Sequence, residues 1–563
     1  MQAKTVLLAL IGCITPALAD DGQRGLVNYA RNSEQVDVIV RFKASPDQSG
    51  HRRFLNHGAV HKRSLALVGA DVYTINSRDL DLLAADPDVE YIGLDHEIRA
   101  TSSALLPSTP DYGWMTVLGV SSPTASVSYD GTGVGVAVID SGLPDNTNDL
   151  QDAEGHSRIV YKASFIPNVN DANDQYGHAT MVAGLIGGNG KNSTGTRFDY
   201  TVRGIAPNVN IVSLRVLDKY GASTDSTVIS AIQAAIALQK QYNIRVINLS
   251  LGRPVSTSYT QDPLCQAVQQ AWNAGIVVVV AAGNDGRDNS QGTQGYATIN
   301  APGNSPDVIT VGAMNTMGTL SASDDKITSY SSKGPTLIDH VIKPDLVAPG
   351  NRIVSIEAAS GSYLVSTYPN NRVAQELYQI STNTGASGQY FELSGTSMAA
   401  PMVSGAAALL IQQDPTLTPD QVKARLMQTA TRLPQITTTS VDPVTGFQYV
   451  SENDVFTVGA GYLNVPAALA NTSKTTLPAT SPTATFDPST HTVTMVTPDG
   501  AIWGTGAIWG TGAVWGTGAI WGTGAIWGTG AIWGTGAIWG TAAVWGTGEI
   551  QGDSLMIATK GDN

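Results

Sequence analysis

Cysteine is nearly absent from this chain of 563 residues, which contains only Cys13 and Cys265. Cys13 falls in the leader described below, so the rest of the chain is expected to form no internal disulfide. Cys265 has no neighbours that indicate a reactive thiol, and we expect it to be packed in the interior. A disulfide framework is therefore excluded, and a hydrophobic core must hold the fold together.

Charged residues are also scarce, at 14% of the sequence, and the formal net charge is -14. Binding to nucleic acid requires a basic surface that neutralises phosphates, and no part of the sequence supplies one. We therefore expect no nucleic-acid partner. The 42% of hydrophobic residues is instead typical of a large globular protein with more than one domain.

Long hydrophobic runs are missing after the first twenty residues, so no transmembrane anchor is predicted. Residues 1–19 have the parts of a secretory signal peptide: Lys4, a short apolar run over residues 6–14, and a cleavage site at residues 17–19. A lipoprotein signal with Cys13 acylated is the alternative, but the apolar stretch before Cys13 is short for one. We predict an exported protein, either secreted or held in a bacterial cell envelope.

Residues 20–105 are predicted to form a small separate unit, folded over about residues 36–100. Its apolar patterns follow the order β-α-β-β-α-β, which is typical of a ferredoxin-like fold. The predicted strands and the second helix are residues 36–43, 59–67, 71–75, 77–85 and 89–94. Because the unit stands between a signal peptide and a larger domain, it is a candidate propeptide; an unrelated N-terminal module is the alternative.

From residue 133 onwards, near-continuous apolar runs alternate with helical patterns. Buried strands without polar alternation indicate a parallel sheet that is covered by helices on both faces. We therefore predict a doubly wound α/β domain over residues 106–471, with ligands at the carboxyl ends of its strands. The strand runs are 134–139, 211–217, 245–249, 276–281 and 308–312, and the helical segments include 226–239 and 263–273.

The end of this domain is predicted to contain two helices and a last strand. Thr418 and Gln421 have the spacing of a capping box that begins the second helix. Residues 459–465 predict a turn followed by a strand. The Ser, Thr and Pro residues over 472–500 are typical of a linker with a short β segment.

Residues 501–550 are a low-complexity repeat. The hexapeptide Ala-Ile/Val-Trp-Gly-Thr-Gly recurs eight times, which would put every Trp on the same side of an extended chain. Three interpretations stay open: a stacked β array, a flexible tail that binds a surface or a multivalent partner, and an expansion without function. Residues 551–563 form a further tail.

Residues 395–401, Gly-Thr-Ser-Met-Ala-Ala-Pro, precede a run of small apolar residues that predicts a buried helix. Pro401 is expected in the first turn, where a missing N–H costs nothing, so Ser397 is expected at or just before the helix N-terminus. The free N–H groups and the helix dipole favour negative charge there. Ser397 could therefore attack a carbonyl and stabilise the resulting oxyanion; a serine that only caps a core helix is the alternative.

Three further residues fit the same chemistry. Asp140 ends the first apolar strand, and His178 opens a helix among glycine and small residues. With Ser397 they could form a triad in which histidine is the base and the carboxylate orients it. Asn284 follows another strand, where its amide could donate to an oxyanion together with the Ser397 N–H, although an asparagine at a turn is often only a turn residue.

Together these motifs resemble the subtilases, the subtilisin-like serine endopeptidases, over about residues 110–471. The family's three signature regions match residues 138–142, 177–180 and 395–401, and the order Asp, His, Ser is that of subtilisin. The front unit resembles the inhibitor-type propeptide that chaperones and blocks such enzymes. The repeat resembles Trp-Gly-Thr arrays on some bacterial subtilases.

The resemblance implies a subtilisin-like fold and a role for each matched residue. Ser397 would be the nucleophile, His178 the general acid and base, Asp140 its orienting carboxylate, and Asn284 the oxyanion donor. Two edges would pair with an extended peptide as an added strand. These edges are formed by Ser250, Leu251 and Gly252 and by Gly221, Ala222 and Ser223.

The resemblance implies no cofactor for catalysis and leaves metal binding open. Asp149 matches a position that supplies a calcium ligand in some members, but residues 187–203 do not reproduce a recognisable calcium-binding pattern. A structural calcium ion is therefore not assigned to any residues. An insertion over residues 358–392 precedes Ser397 and is expected to shape specificity.

The predicted function is an exported serine endopeptidase that hydrolyses polypeptides through an acyl-enzyme. It would be made as a self-processing zymogen, cut between about Arg99 and Ser108, with its propeptide as chaperone and inhibitor. One alternative is a catalytically inactive scaffold that binds a surface through the Trp array. A lipase or esterase would need a Gly-x-Ser-x-Gly elbow with Ser before His, and the chain order argues against it.

Overall fold

The structure is a computed structural model that describes residues 35–43, 54–100, 114–120, 128–145, 147–290, 292–380, 385–434, 436–442, 446–487, 492–496 and 562. The predictions for the signal peptide, for Cys13 and for the repeat at residues 501–550 lie outside these residues. None of the helices in the described ranges is long and apolar enough to cross a membrane.

The front unit is a four-stranded antiparallel sheet. Its strands lie in the order β2-β3-β1-β4, and a helical turn at residues 54–56 precedes β2, so the predicted ferredoxin-like topology is confirmed. Its own apolar core includes Val38, Phe54 and Tyr73. The elements are β1 (Gln35–Phe42), β2 (Val60–Leu65), β3 (Ala70–Asn76), α1 (Leu80–Ala84) and β4 (Val89–Leu94).

Two short elements follow the front unit and lead into the large domain. The strand β5 (Glu97–Ala100) does not join the front sheet, and α2 (Trp114–Val117) packs its Trp114 side chain in the core of the large domain. The first strand of the large domain is β6 (Gly135–Asp140), which is buried along its whole length.

The large domain is built on an eight-stranded sheet in the order β14-β13-β12-β10-β6-β8-β7, with β15 also paired to β13. Every pairing is parallel except that of β13 with β14. The doubly wound α/β fold is therefore confirmed. Besides β6, the strands are β7 (Ile159–Ser164), β8 (Asn210–Arg215), β10 (Ile244–Leu249), β12 (Val277–Ala281), β13 (Ile309–Asn315), β14 (Lys326–Ile327) and β15 (Leu346–Pro349).

Two pairs of helices pack against this sheet: α3 with α7, and α4 with α5. Helix α8 begins with the predicted capping box between Thr418 and Gln421. Cys265 in α5 is buried, and burial raises the pKa of its thiol well above the usual value, as expected for a packed and unreactive thiol. The helices are α3 (Ala179–Gly187), α4 (Asp225–Tyr242), α5 (Pro263–Asn273), α7 (Thr396–Gln413) and α8 (Pro419–Gln428).

The remaining elements lie at the edges of the domain. The insertion before α7 contains α6, β17 and most of β18, and these two strands form a sheet with β16, which precedes the insertion. Two hairpins follow α8. The elements are β9 (Ala222–Thr224), β11 (Leu251–Gly252), β16 (Ile353–Ile356), α6 (Tyr363–Thr367), β17 (Arg372–Ala374), β18 (Ala386–Leu393), β19 (Thr437–Val441), β20 (Gln448–Glu452), α9 (Val455–Val458), α10 (Val465–Ala470), β21 (Thr483–Asp487) and β22 (Thr492–Val496).

One prediction for the end of the domain is wrong. Residues 459–465 form no strand, because Tyr462 makes only isolated bridges to Val347 and Thr431 and residue 465 begins a helix. The short β segment predicted within residues 472–500 corresponds to the hairpin β21–β22. Before this hairpin, Ser481 is buried and its hydroxyl donates to Asp345, so the polar segment packs on the domain surface.

Candidate active site

Asp140 and His178 form a buried hydrogen-bonded pair. Asp140 is the last residue of β6, and His178 stands immediately before α3. The His178 Nδ1 atom lies 2.8 Å and 2.9 Å from the two carboxylate oxygens of Asp140, and both side chains are fully buried. A carboxylate at Nδ1 requires the proton there, which leaves Nε2 as an acceptor. Within the described ranges, Nε2 has no hydrogen-bond partner.

Asp174, which sequence reasoning missed, fixes the start of α3 beside this pair. Its carboxylate accepts from the Ser141 hydroxyl at 2.7 Å, from the Gly177 N–H at 2.6 Å, and from the N–H and hydroxyl of Thr180 at 2.9 Å and 2.7 Å. The Ser141 hydroxyl in turn accepts from the Ala179 N–H. Burial raises the pKa of Asp174, although these four hydrogen bonds oppose the change.

Ser397 lies in the first turn of α7, as predicted, but Pro401 does not. The helix begins at Thr396 after Gly395, whose φ of 143° is open to glycine alone, so Pro401 stands inside the helix. Proline cannot donate the N–H that would bond to the carbonyl four residues earlier, which is that of Ser397. The Ser250 hydroxyl donates to that carbonyl instead, at 3.0 Å.

The Ser250 residue links Ser397 to strand β10. The Ser397 hydroxyl donates to the Ser250 carbonyl at 2.9 Å, so the two residues bond in both directions. The Asn248 amide donates to the Ser250 hydroxyl. Its oxygen accepts from the hydroxyl of Ser404, which lies about two turns after Ser397 in α7. This network holds the start of α7 against the end of β10 and is not visible in the sequence.

The helices α3 and α7 bring His178 and Ser397 to the same edge of the sheet. The two helices pack along each other, and a Cβ atom at Gly405 would lie 3.3 Å from the Ile186 carbonyl. Gly405 and Ile186 are the same number of residues past Ser397 and His178. Asn248 of β10 also pairs with Val138 of β6, so Ser250 and Asp140, each two residues further on, stand at neighbouring strand ends. Their hydrogen-bond partners Ser397 and His178 therefore lie at the same edge of the sheet.

Asn284 is oriented by the residue before Ser397. Its Oδ1 atom accepts from the N–H and from the hydroxyl of Thr396, both at 3.0 Å. An amide whose oxygen is fixed in this way directs its NH₂ group to the opposite side. The Asn284 side chain can therefore present a donor with a preset direction close to the helix N-terminus that carries Ser397.

The six cleft residues predicted from the sequence lie along two edges that enclose β5 of the same chain. The three strands form a sheet in the order β11-β5-β9, with both pairings antiparallel. Leu251 pairs with Ala100 and Gly252 with Arg99, while Ala222 pairs with Arg99 and Ser223 with Ile98. The Ala100 N–H also donates to the Gly221 carbonyl at 3.0 Å. These edges therefore bind an extended segment as a middle strand.

A buried ion cluster connects the two edges. Arg253 directly follows β11, and Asp225 directly follows β9; the Arg253 guanidinium donates to both carboxylate oxygens of Asp225 at 2.9 Å and to Asp262 at 2.8 Å. Such bidentate pairs are geometrically strict. The cluster therefore fixes the separation of β9 and β11, and hence the width of the cleft.

The insertion at residues 358–392 packs close to His178 on one side. Tyr363 of α6 stacks on Tyr176 at a ring-centroid distance of 6.1 Å, and the Tyr176 ring lies 6.1 Å from that of His178. The backbone of α6 is fixed there, because the Tyr363 N–H donates to Gln175 and the Leu364 N–H to Tyr176.

The residues around Asp149 do not fit a calcium ion. The Asp149 carboxylate accepts from the Asn192 N–H at 2.7 Å and from the Tyr390 hydroxyl at 3.0 Å, and calcium offers no such donors. The backbone carbonyls nearby already bind a cation, the buried guanidinium of Arg158. It donates to the carbonyls of residues 149, 151, 187 and 209, at distances of 2.6 to 3.2 Å.

We expect Arg158→Met to destabilise the protein by about 3 kcal/mol, because buried carbonyls that lose their donors each cost about 1–3 kcal/mol. At about 2.1 cal/mol/K of unfolding entropy per residue, the loss corresponds to a fall of about 4 °C in Tm for a domain of this length. Calorimetry in the Ser397→Ala background measures it without self-digestion, and the exposed Arg197→Met is the matched control. A large fall in the Tm of the unmodified protein on addition of a chelator would contradict the arginine assignment.

Elsewhere in the described ranges, Asp152, Glu154 and His156 bring three ligand atoms within 4.8 Å of one another. The group lies on an open turn, and the His156 Nδ1 atom is hydrogen-bonded to Asp152 at 3.2 Å. Exposed acidic groups of this kind are common, so we assign no metal to it.

A parallel sheet with an Asp–His pair and a serine-bearing helix N-terminus at one edge defines an α/β serine peptidase. A sequence model of the subtilase family matches residues 131–450, which is more than half of the chain, so the chain belongs to the subtilase family. Members of this family are serine endopeptidases.

Curated relatives agree with this classification. The chain is 39% identical over 305 residues to serine protease AprX of Bacillus subtilis (strain 168), covering 53% of this chain and 61% of AprX. It therefore spans about three fifths of the length of AprX. It is 33% identical over 409 residues to subtilisin E of the same organism, covering 72% of this chain and 87% of subtilisin E.

The fold is similar to that of fervidolysin from Fervidobacterium pennivorans, a keratinolytic enzyme related to subtilisin. The TM-score is 0.57 at 21% identity, and the match covers 79% of this chain and 62% of fervidolysin. At this identity the comparison shows the fold alone.

Proposed function

We propose that the protein is an exported, self-processing serine endopeptidase that cleaves polypeptides through an acyl-enzyme at Ser397. The observation that carries this proposal is the buried Asp140–His178 pair beside a helix N-terminus whose first turn contains Ser397. The fixed amide of Asn284 and the strand-shaped cleft supply the other parts that acyl transfer to and from a peptide requires.

In the first step the Ser397 hydroxyl turns from the Ser250 carbonyl towards His178 and attacks the peptide carbonyl. His178 Nε2 takes the hydroxyl proton, and Asp140 stabilises the imidazolium through Nδ1. The carbonyl oxygen becomes an anion that accepts hydrogen bonds from the Asn284 amide and the Ser397 N–H. His178 then protonates the leaving amine, and water releases the acyl group by the same steps in reverse order.

The register of β5 in the cleft supports self-processing at one particular bond. Leu251 pairs with Ala100, so the next position of the chain corresponds to Ser250, the residue bonded to Ser397. Thr101 is the residue after Ala100, so its carbonyl would be the one that Ser397 attacks. We therefore propose that the precursor is cut between Thr101 and Ser102, within the interval predicted from the sequence.

We expect the purified active protein to begin at Ser102, as read by N-terminal sequencing, and the Ser397→Ala variant to retain the uncut precursor. Thr101→Pro should slow processing severely, because proline cannot donate a backbone N–H to an added strand. Ser108→Pro is the matched control. An active protein that still begins at Asp20 would contradict the zymogen proposal.

We propose that Asn300 and Asp285 lie beside the position of the side chain that precedes the scissile bond. Cβ atoms at Gly252 and Gly283 would both lie within about 3 Å of the Asn300 side chain, so Asn300 stands between the cleft edge and the strand end that leads to Asn284. Asn300 hydrogen-bonds to the Asp285 carboxylate, and burial raises the pKa of Asp285 to about 6. A carboxylate there favours a basic side chain before the scissile bond.

We expect the preference for Lys over Leu before the scissile bond to fall by about tenfold as the pH drops from 8 to 5, because Asp285 is anionic above its pKa and neutral below it. This change corresponds to about 1.4 kcal/mol. The ratio of the two kcat/KM values is the measurement, because any effect of pH that is common to both substrates cancels in it. Asp285→Asn should give a ratio independent of pH; an unchanged ratio in the unmodified enzyme would refute the assignment.

Labelling with a fluorophosphonate tests the proposed function against the scaffold alternative. We expect a single covalent adduct on Ser397 by peptide mass spectrometry, because the reagent reacts with serines activated by a base. An inactive scaffold would remain unlabelled under conditions that fully label subtilisin E.

A further inference from the structure

Asp562 occupies a closed pocket on the catalytic domain. Its side chain is fully buried, and its carboxylate accepts from the Arg287 guanidinium at 2.8 Å and from the N–H and hydroxyl of Ser329, both at 2.6 Å. Asn351 binds the backbone of the same residue in both directions. Its amide donates to the Asp562 carbonyl at 3.1 Å, and its Oδ1 accepts from the Asp562 N–H at 2.9 Å.

The pocket recognises more than a charge. Arg287, Ser329 and Asn351 come from three separate segments, and all three side chains are largely or fully withdrawn from water. Arg287 and Ser329 bind the carboxylate, and Asn351 binds the main chain. The distance between these two sets of groups matches the length of an aspartate side chain. The ligand that fits is therefore an aspartate within a polypeptide, with its own N–H and C=O groups accessible.

Some groups of the pocket would lose their hydrogen-bond partners if Asp562 left it. Arg287 would keep its ion pair with Asp442, at 2.7 Å, and its contact with the Tyr449 ring. The Ser329 N–H and the Asn351 amide would instead lose the partners described above. Because a buried donor without a partner is costly, these hydrogen bonds favour the occupied state.

We propose that this pocket is a docking site for the chain's own Asp562, and that it anchors the segment after the Trp repeat to the catalytic domain. The segment before the repeat is anchored as well, because β21 pairs with the domain at Val341 and the Ala484 N–H donates to His340. The described residues on the two sides of the repeat, 483–484 and 562, are therefore both hydrogen-bonded to the catalytic domain.

The docking site lies directly behind the elements of the active site. Tyr330, next to Ser329, accepts from the Gly286 N–H two residues after Asn284. Gly350, next to Asn351, accepts from the Gly395 N–H at the start of α7. An aspartate bound here therefore supports both the oxyanion loop and the helix that carries Ser397.

Hydrogen–deuterium exchange of the full chain tests the proposal independently of activity, in the Ser397→Ala background. We expect Asp562→Asn to increase exchange at the Ser329 amide by about tenfold or more, because that N–H loses its charged acceptor. Asp553→Asn, the same chemical change earlier in the tail, is the control. Equal exchange at Ser329 in the two variants would overturn the proposal.

Rescue in trans provides the second measurement. A synthetic peptide of residues 555–563, added to the Asp562→Asn protein, should restore slow exchange at Ser329, whereas the same peptide with Asn at position 562 should not. Asp562→Glu, which keeps the charge but lengthens the side chain, should exchange faster than the unmodified protein. Failure of the unmodified peptide to protect Ser329 at millimolar concentration would also overturn the assignment.

Discussion

Replacing Ser397 by alanine is expected to reduce the turnover of peptide substrates by about 10⁶-fold, because the members of a triad act as a unit and none compensates for loss of the nucleophile. The KM value should change little, since the cleft edges β9 and β11 are untouched. The measurement is kcat for a chromogenic peptide, with the variant purified separately from any active enzyme.

The exposed Ser473→Ala is a suitable control for this variant, because the Ser473 hydroxyl donates to Gln428, which is not part of the cleft edges, and the backbone contacts of Ser473 are kept in alanine. It should keep full activity. Hydrolysis by Ser397→Ala at more than a small fraction of the unmodified rate would show that another residue is the nucleophile.

Replacing Asn284 by alanine should lower kcat by about 10²–10³-fold with little effect on KM, because the amide donates to an oxyanion that exists only after attack. The fixed direction of the Asn284 amide, with Oδ1 on Thr396, is the reason for the size of this effect. Steady-state kinetics at saturating substrate measure it directly.

The Asn284→Asp variant distinguishes the loss of the hydrogen-bond donor from a loss of local packing. An aspartate can still accept from the Thr396 N–H and hydroxyl, so the local contacts are kept, but it has no NH₂ group to donate. We expect a loss of kcat at least as large as for alanine. Activity close to that of the unmodified enzyme would assign the oxyanion donor elsewhere.

The sheet and the positions of the site residues were predictable because their signals are local. Strands such as β12, with Val at four successive positions, are apolar throughout, since both faces of the sheet are covered. The strand β7 was not predicted, because each of its residues is only partly buried at the edge of the sheet and its sequence lacks an apolar run.

What the sequence did not predict depends on contacts between distant segments. The Pro401 position in α7 is tolerated only because the Ser250 hydroxyl replaces the missing donor to the Ser397 carbonyl. The cation near Asp149 is the guanidinium of Arg158, which directly precedes β7. It binds four carbonyls that come together only in the folded chain, so the sequence alone could not identify it. The Asp562 pocket depends on three loops at once.

In the maturation that we propose, the strand β5 leaves the cleft after the chain is cut. While it lies between β9 and β11, the backbone donors and acceptors of both edges are satisfied within one molecule. Once β5 departs, two unpaired edges face solvent, and such edges promote aggregation when they are long. Here they contain only three and two residues, so they are long enough to select an extended substrate and too short to join one enzyme molecule to another.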